Sequence, residues 1–157
     1  MKRTNKFKLK PTKEQEKRLK ELAENCSRMW NEINYKRRKS FFEGEIEWKT
    51  EEEYKKLVGS ATAQQIIIKN NEAWKSFFAI LKKKKKGKRP NNIKKVKPPG
   101  YWKDRKKKRR ILRILIRCDC YKLEKKVLKL PFKLKIRWVG RNRWEGKQGR
   151  LEIVMMN

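Results

Sequence analysis

The sequence has no histidine and only two aspartates, Asp104 and Asp119. Without an imidazole there is no His general base, no His-activated nucleophile and no His metal ligand. Two aspartates, neither in an acidic motif, make a poor start on the converging carboxylates that two-metal hydrolysis requires. The three cysteines, Cys26, Cys118 and Cys120, are an odd number, and a lone Cys-x-Cys does not complete a four-ligand zinc site. Free thiols are therefore expected, with no metal and no cofactor. No apolar run approaches the roughly 20 residues of a spanning helix. The opening "MKRTNKFKLK" has no apolar signal-peptide segment, so the expectation is a cytoplasmic chain with no membrane partner.

What the sequence has in excess is positive charge. Lys and Arg number 49 against 17 acids, a net +32 on 157 residues, and such a body repels itself unless a polyanion neutralises it. Six Trp, four Tyr and six Phe are interleaved with the cations and offer faces for base stacking, which makes nucleic acid the expected partner. Fifteen Glu against two Asp, with abundant Lys, is the composition of a thermophilic host.

Hydrophobic periodicity divides the chain. In residues 5–10, "NKFKLK", Phe7 and Leu9 share one face as in a half-buried strand, and Pro11 ends it. Thr12 and Gln15 form a capping box for a long helix whose stripe is Leu19, Leu22, Ala23, Cys26, Met29, Trp30 and Ile33. Thr50 and Glu53 cap a short helix carrying Tyr54, Leu57 and Val58, which Gly59 ends. Helical spacing returns through Ala63, Ile66, Ile67, Asn70, Ala73, Trp74, Phe77, Phe78 and Leu81, so a three-helix bundle is predicted.

From Lys82 to Arg110, seventeen of twenty-nine residues are cations, broken by Gly87, Pro90, Pro98, Pro99 and Gly100. This reads as a linker that builds no core. Beyond Arg110 the period falls to two. Leu112, Ile114, Ile116 and Cys118 share a face, "YKLEKKVLKL" turns near Glu124 to Lys126, and Phe132, Leu134, Ile136 and Trp138 point inward while Lys133, Lys135 and Arg137 point outward. "GRNRWEGKQG" is a Gly-rich loop with Arg141, Arg143 and Trp144 but no P-loop pattern, and "RLEIVMM" is a last strand. Residues 5–10 return to pair with these strands or remain an edge. The fold class is α+β, a small barrel or sheet with a helical insertion. The scattered Glu residues are explained by i,i+4 pairing with Lys and by the helix dipole, which leaves no catalytic set.

Five phrases, "FKLKPTKEQEKRL", "RMWNEINYKRR", "ATAQQIIIKNNEAWKSFF", "KPPGYWKDR" and "GKQGRLEIV", occur in the order found in the amino-terminal half of TnpB, the transposon-encoded RNA-guided nuclease. The chain resembles that family, and its archaeal branch in the last two phrases. The resemblance implies a wedge-type β-barrel, residues 1–10 and 105–157, interrupted by a three-helix recognition insertion at 11–85, with 86–104 as a basic linker. It also implies a structured guide RNA and double-stranded DNA as partners. The family's RuvC-type Asp, Glu and Asp and its zinc ribbon are expected after "RLEIV", where this sequence stops, so the chain looks like a truncated, non-catalytic TnpB.

Position by position, Gln64 and Gln65 match family positions near the DNA motif, and Asn31 matches a first-helix asparagine for which packing and base contact both stay open. Lys69, Lys103, Arg105, Lys133, Lys135, Arg137, Arg141 and Arg143 complete the expected nucleic-acid contacts, with Tyr101, Trp102 and Trp144 as stacking residues. The expected function is non-catalytic nucleic-acid binding. The alternatives are the recognition half of a split nuclease or transposase that needs a separate nuclease chain, and a non-specific RNA or chromatin coat.

Overall fold

A computed structural model describes residues 2–50, 56, 58–87, 95–104 and 106–155. Helix α1 spans Lys13–Phe42 and starts as the capping box dictates: Gln15 N donates to Thr12 Oγ1 at 3.2 Å and Thr12 N donates to Gln15 Oε1 at 3.0 Å. Its buried stripe runs from Leu19 through Ala23, Cys26, Met29, Trp30 and Ile33, then past the predicted end to Asn34 and Arg37. Helix α2 spans Ser60–Lys85 and buries Thr62, Ala63, Ile66, Asn70, Trp74 and Phe77. Gly59 precedes it at φ +87°, a conformation that favours glycine, and a Cβ there would lie in tight contact, 3.3 Å, with the Phe132 ring. The predicted short helix between α1 and α2, with its Thr50–Glu53 cap, lies largely outside the described residues.

The two helices meet through a buried polar layer. Asn34 Oδ1 accepts from Trp74 Nε1 at 3.0 Å and from Asn70 Nδ2 at 3.3 Å, while Arg37 donates to Asn70 Oδ1 at 2.8 Å and to Trp48 O at 3.0 Å. Arg37 is 1% exposed, and its Nε has no partner. Burial pulls its guanidinium down to about 10, so it remains a cation at neutral pH inside the molecule. These bonds fix the register of α1 on α2, because any slip strands several buried polar atoms.

All strand pairs are antiparallel. A four-stranded sheet has the order β1-β7-β6-β5, from β1 (Lys8–Lys10), β5 (Lys122–Glu124), β6 (Val127–Leu130) and β7 (Leu134–Val139). Strand β1 returns to β7 with Leu9 opposite Trp138. Two-stranded sheets join β2 (Lys103–Asp104) to β3 (Arg109–Arg110) and β4 (Arg113–Ile116) to β8 (Leu151–Val154). None of these closes into a barrel, and the described residues support a helix pair, α1 and α2, but not the expected three-helix bundle.

Strand β4 buries Ile114, Leu115 and Ile116 on both faces and packs against α1 and α2. The helix stripes thus cover this strand as well as each other. One core results, joining Leu19, Cys26, Ile33 and Ile66 to Ile114, Leu134, Ile136 and Ile153. Strand β4 also departs from its predicted alternation, since Leu115 is as buried as its neighbours; "ILRILI" is the apolar run of a strand covered on both sides. Among the described residues no helix is long and apolar enough to cross a membrane.

Candidate nucleic-acid interface

The basic run after Pro99 is an anchored hairpin. Lys103 pairs with Arg110 and Asp104 with Arg109, and the tip is closed by Asp104 Oδ1, which accepts from Lys106 N at 3.0 Å and Lys107 N at 3.2 Å. Lys108 completes the turn at φ +52°. At the base, Trp102 N donates to Asn31 Oδ1 at 2.8 Å, Ile111 N donates to Trp102 O at 3.1 Å, and the Trp102 ring stacks on Trp30 with centroids 4.7 Å apart. The chain leading in is docked along α1, with Asn34 Nδ2 donating to Pro99 O at 2.8 Å and Trp30 Nε1 to Gly100 O at 3.1 Å.

Two corrections follow. Trp102 is not a stacking surface for bases: it is 6% exposed and belongs to the core, because Trp30 occupies the position a base would take. The stretch expected to build no core thus supplies a core residue at Trp102. At its start, Lys82–Lys85 form the last turn of α2, where four cations meet the negative end of the helix dipole.

Between α1 and the hairpin lie two adjoining concavities of about 320 Å³ each, which share Asn31 and Arg110. Arg28, Glu32, Tyr35 and Lys36 line the helix side; Tyr101, Lys103, Lys108 and Arg109 line the hairpin side. Glu32 is the only acid among these lining residues. Tyr35 is 58% exposed and Tyr101 38% exposed, so both rings are within reach of a ligand. Sequence reasoning missed Arg28, Tyr35 and Lys36. The helical spacing of Arg28, Tyr35 and Lys36, opposite the buried stripe, was the available signal. Asn31 sits in this groove and holds the hairpin by its Trp102 N–H, a positioning role.

A second basic surface is the outer face of the four-stranded sheet. The register puts Lys10 beside Arg137, and Lys135 beside Lys129 and Lys122, while Leu9, Ile136 and Leu128 turn to the other face. Glu124 is the acid on this face, held by Lys129 at 3.0 Å; that hydrogen bond lowers its pKa. Gln15 Nε2 donates to Lys135 O at 2.7 Å, tying the start of α1 to the strand that carries these cations. Lys133 and Phe132 leave the predicted alternation. Both adopt positive φ in the turn before β7, so Phe132, expected inside, is 51% exposed.

The remaining expected residues lie apart. Gln64 Oε1 accepts from Arg117 Nη1 at 2.9 Å, and that guanidinium is also held by Asp119, whose pKa falls because of the bond. Gln65 is half-buried one residue further along α2. Lys69 is paired with Glu152; burial acts to raise that carboxyl, and the Lys69 bond and neighbouring cations outweigh it to lower its pKa. Arg141, Arg143 and Trp144 are exposed on the loop after β7, and Arg3 lies 3.8 Å from the Trp144 ring centroid. Arg105 lies outside the described residues. Asp104 and Asp119, the two aspartates, thus cap a turn and pair with an arginine.

Comparison with known proteins agrees with the sequence reading. Residues 1–40 match a helix-turn-helix domain family, the OrfB IS605 type. Within that match lie β1 and most of α1, an unbroken helix, and α2 begins beyond it. A TnpB-like protein, ORF457 of Acidianus two-tailed virus, is 46% identical over 161 residues, covering 97% of this chain and 35% of that protein. The chain spans about a third of the length of the curated relative it matches. The resemblance carried by five short phrases extends along nearly the whole chain, which is TnpB-like in sequence.

Proposed function

We propose that this chain is a transposon-associated nucleic-acid-binding module without nuclease chemistry of its own, which holds a structured guide-type RNA and contacts duplex DNA as the recognition part of a TnpB-like system. The groove between α1 and the β2–β3 hairpin carries the reading. It is lined by cations and two accessible tyrosines, and a stacked Trp pair and an asparagine fix the hairpin to the core. A surface fixed in this way can distinguish shapes, whereas a mobile basic tail only neutralises phosphates. The structural duties of Asp104 and Asp119 support the non-catalytic part of the proposal.

The test begins with what co-purifies. Bound nucleic acid removed by RNase and not by DNase selects the guide-RNA reading; a preparation free of nucleic acid that binds neither RNA nor DNA sinks it. Replacing Lys135 and Arg137 with Gln should erase preference for a structured RNA over an unrelated one. Replacing Lys82 to Lys86 with Gln should weaken both alike, with the salt slope falling by about 0.7–0.9 for each phosphate no longer neutralised. A second reading is that a separate chain supplies nuclease carboxylates. Guide-dependent cutting restored by adding such a chain would select it.

A further inference from the structure

Residues 142–144 of the loop between β7 and β8 are held by Asn5. Asn5, half-buried before β1, donates from Nδ2 to Asn142 Oδ1 at 2.6 Å and Trp144 O at 3.0 Å. Its Oδ1 accepts from Arg143 N and Trp144 N, each at 3.1 Å. The amide thus pairs with both backbone groups of Trp144, as a neighbouring strand would. Gly140 and Gly146 turn the loop at φ +137° and +148°, and a Cβ on Gly140 would lie 3.4 Å from Phe7 and 3.5 Å from Lys6 O. The loop thus runs in van der Waals contact with the N-terminal segment, and the positive φ at Gly140 favours glycine there.

This scaffold does not bury the indole it fixes. Phe7 and Trp138 pack together, ring centroids 4.6 Å apart, while Trp144 stays 43% exposed with the Arg3 guanidinium over its ring. Arg141 and Arg143 are exposed beside it, and Glu145 is the loop's one acid. An indole held at the surface, braced by a guanidinium and flanked by two more, matches the chemistry of an unpaired nucleotide: a base to stack and phosphates on either side. In a duplex the base faces are already stacked on one another and are not available to the ring.

We infer that this loop is a binding site for an unpaired nucleotide, with the base stacked on Trp144, the flanking phosphates met by Arg141 and Arg143, and Asn5 as positioning residue. The inference rests on the nucleic-acid-binding reading above and adds a site and a strandedness to it. Trp144→Ala should lower affinity for a short unstructured oligonucleotide by roughly 5- to 150-fold, the range for loss of one base stack. Affinity for a duplex at the same salt should be unchanged, and Trp144→Phe should retain most of the single-strand binding. Asn5→Ala should act in the same direction, with the thermal midpoint lowered by only a few degrees. RNA and DNA oligonucleotides of one sequence separate the sources: a loss confined to one assigns the sugar, and a loss on both assigns the base alone. Photo-crosslinking of the unmutated protein to an iodouracil oligonucleotide should label the peptide containing Trp144. Labelling confined to other peptides, or equal losses on single strand and duplex, would overturn the site while leaving nucleic-acid binding intact. Absence of binding by the unmutated protein would overturn both.

Discussion

Trp102 and Tyr101 are adjacent aromatics in one basic run, and the structure gives them opposite roles that substitution can separate. Trp102 is 6% exposed, stacked on Trp30 at 4.7 Å with planes 9° apart, and its N–H is held by Asn31. Truncating a buried Trp to Ala costs about 3–5 kcal/mol from lost transfer energy and the cavity left behind. For a chain of this size each kcal/mol moves the midpoint by about 2–4 °C, so Trp102→Ala should lower it by about 6–20 °C. Tyr101 is 38% exposed, and its truncation should change stability by about 0.5 kcal/mol or less. Binding should show the reverse pattern: Tyr101→Ala loses about 1–3 kcal/mol per stacked base, provided the ring engages one. The assay is a pair of far-ultraviolet circular dichroism melts, with oligonucleotide titrations run well below both midpoints. If Trp102→Ala melts with the parent protein and loses only affinity, Trp102 is a stacking residue after all and the anchored-hairpin argument fails.

Three other outcomes follow from single contacts. Burial pushes the Cys26 thiol up to about 12, and a raised folded pKa means its contribution to stability is whole below about pH 9 and lost as pH rises toward 12. Cys26→Ala should therefore lose less stability than the parent over that interval, and thiol reagents at neutral pH should modify exposed Cys118 while reaching Cys26 only in denaturant. Asp104→Ala removes the acceptor for two backbone N–H groups at the hairpin tip; it should loosen residues 106–108, seen as faster amide exchange there, while the midpoint shifts by only a few degrees. Asn31→Asp keeps an acceptor for Trp102 N but adds a negative charge to the groove. Affinity should fall about tenfold at low salt, with the difference shrinking as salt rises, and the fold should be retained.

Local signals survived the passage from sequence to structure. The Thr12–Gln15 box starts α1, the three-and-four spacing marks the buried faces of both helices, and the turn between β5 and β6 falls at the predicted Glu124–Lys126. Strand β7 buries Leu134 and Ile136 in the expected alternation. What escaped was decided at a distance. The β2–β3 hairpin has two-residue strands with cations at three of four positions and a lysine where the turn needs positive φ, so it carries neither a hydrophobic period nor a glycine. Trp102 lies in a run that reads as solvated, and its burial depends on Trp30 and on Asn31, 71 residues earlier. Arg37, in "YKRRKS", is buried because Asn70 and Trp48 O receive its guanidinium; neither is visible from α1 alone. The groove itself is a product of such pairings, which is why its helix side was overlooked.

A surface meant for a polyanion cannot be fastened with salt bridges, since every carboxylate used as an anchor cancels a cation. This chain fastens its basic elements largely with amides. Asn31 holds the hairpin, Gln15 the back of Lys135, Asn5 the Trp144 loop, and Gln148 reaches Cys118 O at 2.6 Å and Tyr121 O at 2.9 Å. An amide both donates and accepts, so it can satisfy either kind of backbone group and adds no net charge. Carboxylates do serve where acceptance alone is needed, as at Asp104, or where a cation is held away from the groove, as Lys69 is by Glu152. The scarcity of aspartate and the wide use of Asn and Gln as anchors are then one adaptation: positive charge is kept available by fixing its supports with neutral hydrogen bonds.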